Sequence, residues 1–289
     1  MTTIQFLAPI VVAALAGSLH LALADDAALR KALTLHAPFD GKLDAAFASG
    51  DARLYSASTY KSLDDAKPGL HNVDVEHVKG RGRFGDALRF VKKNTKAVYY
   101  QAAKNVAYAE RNFAGTVSFW LSLDPERDLE PGFCDPVQVT DKAYNDAAFW
   151  VDFTKDEKPR HFRLGVFGDL KAWNPNNVPP DKNPDFLRRL VVVTKTPFAR
   201  ERWTNVTFTW TGLNTEGRRG AAKLYLNGEL QGTADSIGER FTWNPARAAI
   251  RLGVNYVGLF DELSTFNREL TAAEVKALYG LKNGVAGLR

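Results

Sequence analysis

The sequence predicts an all-β fold, two antiparallel sheets packed as a sandwich or jelly roll with one short helix near the C-terminus. Three observations carry that expectation. Short segments alternate apolar and polar residues with period two, turn residues separate them, and no helical period runs through the chain before its last twenty residues. Aromatic residues make up 11% of the chain, which favours pleated surfaces over helices. With 289 residues the chain can bury a sizeable core, and a sandwich of this length does not require a second domain.

The first segment reads as an address rather than as fold. Thr2 to Ala24 carries no formal charge, Ile4 to Leu23 is almost wholly apolar, and Ala22-Leu23-Ala24 precedes Asp25-Asp26. A small-x-small triplet after an apolar run predicts a signal peptide at 1–24, cleaved after Ala24. The start, Met-Thr-Thr-Ile-Gln, lacks the usual Lys or Arg, and an uncleaved anchor is the competing reading, since about 20 apolar residues can span a bilayer. Pro9, Gly17 and His20 inside the run favour cleavage. The expected mature domain is 25–289, secreted or periplasmic, with no integral membrane segment left after cleavage.

Asp25 to Leu35 has helix-forming composition with Asp26 as N-cap. The strands follow. Thr116–Leu123 places Val117, Phe119, Leu121 and Leu123 on one face and Trp120 on the other. Phe149–Phe153 sets Trp150 and Asp152 opposite its Phe/Val face, and His161–Val166 alternates likewise, with Arg163 on the non-core phase. Thr204–Trp210 directs Val206, Phe208 and Trp210 inward. Lys223–Leu226 runs into Asn227-Gly228, a strong hairpin signal. Thr271-Ala-Ala-Glu274 is a capping box opening a helix with Val275, Leu278 and Tyr279 as its apolar stripe. Two stretches read as loops, Asp124–Asp146 and Lys171–Pro184, the second holding Trp173, Asn174 and four prolines.

Five segments in register, spanning about Leu33 to Tyr279, resemble the laminin-G-like jelly-roll family of the concanavalin A-like lectin/glucanase superfamily. They are Leu33–Gly41 ending in Phe-Asp-Gly, Gly82-Arg-Phe-Gly-Asp-Ala-Leu-Arg-Phe90, Phe113–Leu121, the pair Arg202–Phe208 and Leu224–Gly228, and Gly258–Tyr279. The resemblance implies one jelly roll with core at about 33–279. It also implies a structural calcium held by oxygen ligands, for which Asp40 and Asp261 are the candidates. The segment 171–200 departs from the compact family pattern.

Composition and motifs exclude several chemistries. The net charge of +5 is spread out, and the densest basic stretch, Lys79 to Arg83 with Arg89, Lys92 and Lys93, reads as a solvated face, so no nucleic-acid partner is expected. Cys134 is the single cysteine, which rules out a disulfide framework. Glucanases of the superfamily use Glu-x-Asp-x-x-Glu along one strand, and no such array is present; Asp152 with Asp156 and Glu157 is the nearest approach. No catalytic residue is therefore assigned. Sugar binding requires aromatic platforms and planar polar groups, for which Trp120, Trp150, Asp152, Arg163, Trp173 and Asn174 are the candidates. The expected function is a non-catalytic extracytoplasmic module binding carbohydrate or a cell-surface protein partner, with specificity in loops 124–146 and 171–200. A glycoside hydrolase of the same fold and a purely structural envelope or adhesion domain are the alternatives. Asn205-Val-Thr207 matches a glycosylation sequon inside a predicted strand.

Overall fold

The computed structural model describes residues 26–288 and shows two antiparallel sheets packed face to face. The expected leader 1–24 lies outside the described residues. The first sheet follows the order β15 (Glu229–Ile237), β14 (Gly220–Leu226), β13 (Thr204–Leu213), β8 (Phe113–Ser122), β17 (Gly258–Phe266), β1 (Leu33–Ala37) and β2 (Phe47–Ala48). Strand β6 (Ala87–Phe90) joins it through β17, and β5 (Val75–Val78) pairs with β6. The second sheet runs β12 (Leu190–Val193), β11 (Phe162–Phe167), β10 (Ala148–Phe153), β9 (Cys134–Thr140), β16 (Ala249–Val254), β7 (Ala97–Gln101), β3 (Tyr55–Ala57) and β4 (Lys67–Pro68).

The period-two alternation decides what lies between the sheets. Val117, Phe119 and Leu121 of β8 meet Phe149, Val151 and Phe153 of β10 in one apolar cluster, with Val206, Phe208 and Trp210 of β13 beside them. Burial of this continuous apolar surface is the main driving term for the fold. The Asn227-Gly228 hairpin forms as expected, both residues having positive φ, 50° and 79°, and Leu226 faces Glu229 across it.

A second, smaller cluster coats the outer face of the first sheet. Helix α1 (residues 26–32) and α5 (Ala272–Tyr279) contribute Leu29, Val275 and Leu278, which pack on Tyr225 and Phe266. The Thr271/Glu274 capping box is complete, and Arg268 grips Glu274 from outside at 2.5 and 2.8 Å. Helix α1 ends short of the expected Leu35, because Leu33 to Ala37 pair with β17 and β2 instead.

Both expected loops contain regular structure. Segment 124–146 supplies the one-turn helix α2 (Pro125–Asp128) and then β9, an interior strand whose Val137 and Val139 point into the core. Pro136 is tolerated there beside a register shift opposite Val151 and Phe153. Segment 171–200 folds into α3 (Leu170–Trp173), α4 (Pro184–Leu187) and edge strand β12. Pro184 sits in the first turn of α4, where its missing N–H costs nothing, and Asn183 caps that turn. Among the described residues no helix is long and apolar enough to cross a membrane.

Candidate functional site

The face of the second sheet turned away from the core carries a row of residues directly opposite one another: Gly165, Trp150, Gln138, Arg251, Tyr99 and Tyr55, from β11 across to β3. The two ends of this row differ in what covers them.

At the β10–β11 end the row is roofed. Trp150 lies across Gly165, whose missing Cβ makes room: a methyl there would stand 2.2 Å from the indole Cζ2. Phe167 stacks on Trp150 at 5.8 Å, and Trp173 of α3 and Phe186 of α4 close over Phe167 at 5.2 and 4.9 Å. Both indole N–H groups are used, Trp150 donating to the Tyr144 carbonyl and Trp173 to that of Asn145. Asn174 is buried as well, its amide both donating to and accepting from the Val178 backbone. Trp173 and Asn174, expected to contact a ligand, are buried in this roof, and Trp150, expected to do the same, lies beneath it. Trp173 and Phe186 are thus the part of the 171–200 segment that covers β10 and β11.

Asp152 and Arg163 face each other across β10 and β11 and form a bidentate pair, Nε to Oδ1 at 2.8 Å and Nη2 to Oδ2 at 2.5 Å. Burial raises the Asp152 carboxyl against the pull of Arg163, while on Arg163 the hydrogen bonds and field of Asp152 outweigh burial and raise its pKa. The guanidinium lies between the rings of Phe133 and Trp150, 5.0 and 5.4 Å from their centroids. Next to it, Asp135 is pushed well above the usual carboxylate range by burial and by Asp152. Asp152 is thus committed to orienting one guanidinium.

At the β16–β7–β3 end the face opens into a groove of about 310 Å³. Tyr55 and Tyr99, stacked at 5.5 Å, form one wall; residues 61–66 make one bank and Ala246 to Ala248 the other. Asp64 and Arg247 reach across it, 3.7 Å apart. Arg251 lines the groove and is buried, donating through Nη1 to Gln138 Oε1 at 2.7 Å and to the Lys142 carbonyl at 3.3 Å. Its Nε, and Oδ1 of Asp141, are buried beneath the lining without a hydrogen-bond partner among the described residues. Burial pushes the Arg251 pKa down to about 10, opposed by the field of Asp141, so it keeps its charge at neutral pH. This groove escaped the sequence reading, although the alternation of Tyr99 with Val98 and Tyr100, and of Arg251 with Ile250 and Leu252, was its available signal.

The remaining candidates lie on the other sheet. Trp120 has the non-core phase expected of it but is covered, stacked with Tyr279 of α5 at 5.6 Å and overlaid by Arg83 at 4.9 Å. Asp40 and Asp261 hold opposite sides of one turn. Asp40 accepts from the Asp86 N–H at 2.8 Å, and Asp261 from Arg83, Phe84 and Glu262 N–H. Burial, then the charge of Glu262, pushes Asp261 up to about 8. Backbone N–H groups thus take both oxygens of Asp261 and one of Asp40, so that the two carboxylates clasp the turn. No group of three or more His, Cys, Asp or Glu with metal-holding geometry occurs among the described residues. Gly80-x-Gly82-x-x-Gly85 has the spacing of a dinucleotide turn but joins antiparallel β5 to β6, with no helix N-terminus for a phosphate. Asn205 is buried and donates to Ser118 Oγ and the Phe119 carbonyl, which closes the sequon to glycosylation in the folded protein.

The laminin-G-like model of the concanavalin A-like lectin/glucanases superfamily matches residues 95–276. The chain belongs to this superfamily. The match takes in β7 to β17, and with them Tyr99 and Arg251 of the groove, while Tyr55 lies before it. Solved structures resemble the chain at low identity, and those with TM-scores above 0.5 share its fold. Domain 4 of an extracellular arabinanase from Geobacillus stearothermophilus, in complex with arabinotriose, is 18% identical over 85% of this chain and 97% of its own, with a TM-score of 0.49. The binding domain of Paraclostridial Mosquitocidal Protein 1 is 15% identical over 87% of this chain and 52% of its own, at 0.54. The botulinum neurotoxin serotype D ligand binding domain, in complex with N-acetylneuraminic acid, is 11% identical over 89% of this chain and 52% of its own, at 0.54. The superfamily member thus spans about half the length of these two toxin chains. No curated protein matches it.

Proposed function

We propose that this superfamily member is a secreted, non-catalytic carbohydrate-binding module whose recognition site is the Tyr55–Tyr99–Arg251 groove. The carrying observation is the groove itself: an aromatic wall between banks that bear Lys61, Asp64 and Arg247, with Arg251 in its lining. A sugar offers a CH-rich face to the tyrosines and hydroxyls to the charged side chains of the two banks. Its volume suits one or two sugar rings at the lower end of ordinary ligand sites, about 300–1,000 Å³. The superfamily membership and a fold neighbour with bound N-acetylneuraminic acid support the class of ligand.

A glycan array probed with the purified protein tests the reading. Binding is expected to fall roughly tenfold or more in Tyr99→Leu, the scale of one lost stacking contact of about 1–1.5 kcal/mol. Absence of any glycan binding by the folded protein removes the proposal and leaves a protein-binding or structural domain. N-terminal sequencing of secreted protein is expected to start at Asp25; a start at Met1 would remove the leader.

A further inference from the structure

We infer that the groove continues past Ala248 into a second aromatic pocket, and that its ligand is a run of consecutive units of a linear oligosaccharide rather than one terminal sugar. The inference rests on the carbohydrate reading and names the ligand class of that same site. The second pocket has a volume of about 220 Å³ and lies beyond the adjoining ends of β7 and β16. Ala248 lines both cavities. On each strand the lining passes from one to the other within a residue: Gln101 lines the groove and Ala102 the pocket, Ala246 the groove and Pro245 the pocket. The Ala102 N–H donates to the Ala248 carbonyl at 2.8 Å and holds the two sides together. Methyl groups thus occupy the junction where larger side chains would raise a wall.

The pocket repeats the chemistry of the groove. Tyr108 stacks on Trp243 at 5.3 Å as Tyr55 does on Tyr99 at 5.5 Å, each pair with 24° between its planes. Tyr108 is partly exposed, and Pro245 beside it is exposed. The Tyr108 hydroxyl is already used, donating to the Phe241 carbonyl and accepting from the Trp243 N–H, so this pair offers carbon surface rather than hydrogen bonds. The polar groups stand at the rim. Lys104 is exposed, Gln101 at the junction is partly exposed, and neither side chain has a hydrogen bond or ion pair among the described residues. Two aromatic surfaces with polar groups beside and between them match the ring faces and hydroxyls of successive sugars. An extended peptide would need a sheet edge to pair with, and β7 and β16 are both interior strands.

The test uses the full chain and calorimetric titration with cello-, xylo- and manno-oligosaccharides of one to six units, and with the same lengths of any linear glycan bound on the array. In at least one series the affinity is expected to rise about tenfold or more between two and four units and to level off beyond. Ala107→Trp fills the pocket from a partly exposed position. It is expected to abolish that rise while the two-unit sugar stays within about twofold. Lys104→Ala is expected to weaken the four-unit sugar about threefold, the scale of one hydrogen bond, and to leave the two-unit sugar unchanged. If the tryptophan variant fails to fold, the alanine variant carries the test. A rise with length that survives undiminished in the folded variants overturns the inference. Binding that is sensitive to Tyr99→Leu but independent of length, or confined to terminal or branched sugars on the array, overturns it while leaving the carbohydrate reading standing. Failure to bind any glycan at all overturns both.

Discussion

Arg163 and Arg251 stand on the same face of one sheet, and each interrupts an apolar strand at the same phase of its alternation. Arg163 is closed by structure: Asp152 fills its fork, Phe133 and Trp150 sandwich its plane, and the 171–200 segment roofs its neighbours. Arg251 is held by one nitrogen and lines a groove. The same residue type at equivalent register is therefore ion-paired at one end of the row and held by neutral partners at the other. What separates them is whether a carboxylate lies on the adjacent strand: β10 supplies Asp152 opposite Arg163, whereas Arg251 has Gln138 and Tyr99 opposite.

The largest expected effect tests this directly. Arg163→Met leaves Asp152 as an uncompensated buried charge, and the loss is expected to be about 3–5 kcal/mol by urea denaturation. Arg251→Met removes a buried cation that has no contacting carboxylate, and is expected to cost under about 1.5 kcal/mol while weakening glycan binding about tenfold. Equal losses in the two variants would show that Arg251 is as structural as Arg163.

A second, smaller effect concerns the roof. Trp173→Ala is expected to destabilise by about 3 kcal/mol, the low end for truncating a buried aromatic, because Phe186 and Phe167 lose their packing partner. Glycan affinity in the Tyr55–Tyr99 groove is expected to stay within about twofold of the parent protein, since the two regions share no contact residue and distant sites add independently. A tenfold loss of affinity would return the 171–200 segment to a recognition role.

The fold was legible because it rests on local rules. Period two in β8, β10 and β13 set the core face, Asn227-Gly228 set a hairpin, and Thr271 with Glu274 set the start of α5. The site was less legible because phase names a face without saying what covers it. Trp120 and Trp150 are on the face expected of them, yet α5 covers one and α3 with α4 the other, and those coverings arise from residues more than 20 positions away. The Tyr55–Tyr99 wall was invisible for a related reason. Its two tyrosines meet only through pairing of β3 with β7, a partnership that neither strand's own sequence announces.

The smallest effect sharpens the contrast in charge. The roofed end carries a surplus carboxyl, Asp135, raised by burial and by the neighbouring Asp152, whereas the open end carries a surplus cation. A carboxyl whose pKa is higher in the folded than in the unfolded protein leaves stability intact below its unfolded pKa and withdraws it as pH rises toward its folded value. Asp135→Asn removes that titration and keeps an acceptor for the Gln138 amide. The variant is expected to match the parent near pH 3 and to exceed it at pH 7, by no more than about 1 kcal/mol. Thermal melting across that range checks the slope. A gap that is constant with pH would mean that Asp135 is ionised at ordinary acidity, with Arg163 shared between two carboxylates, and the roofed end would then hold no surplus charge to set against Arg251.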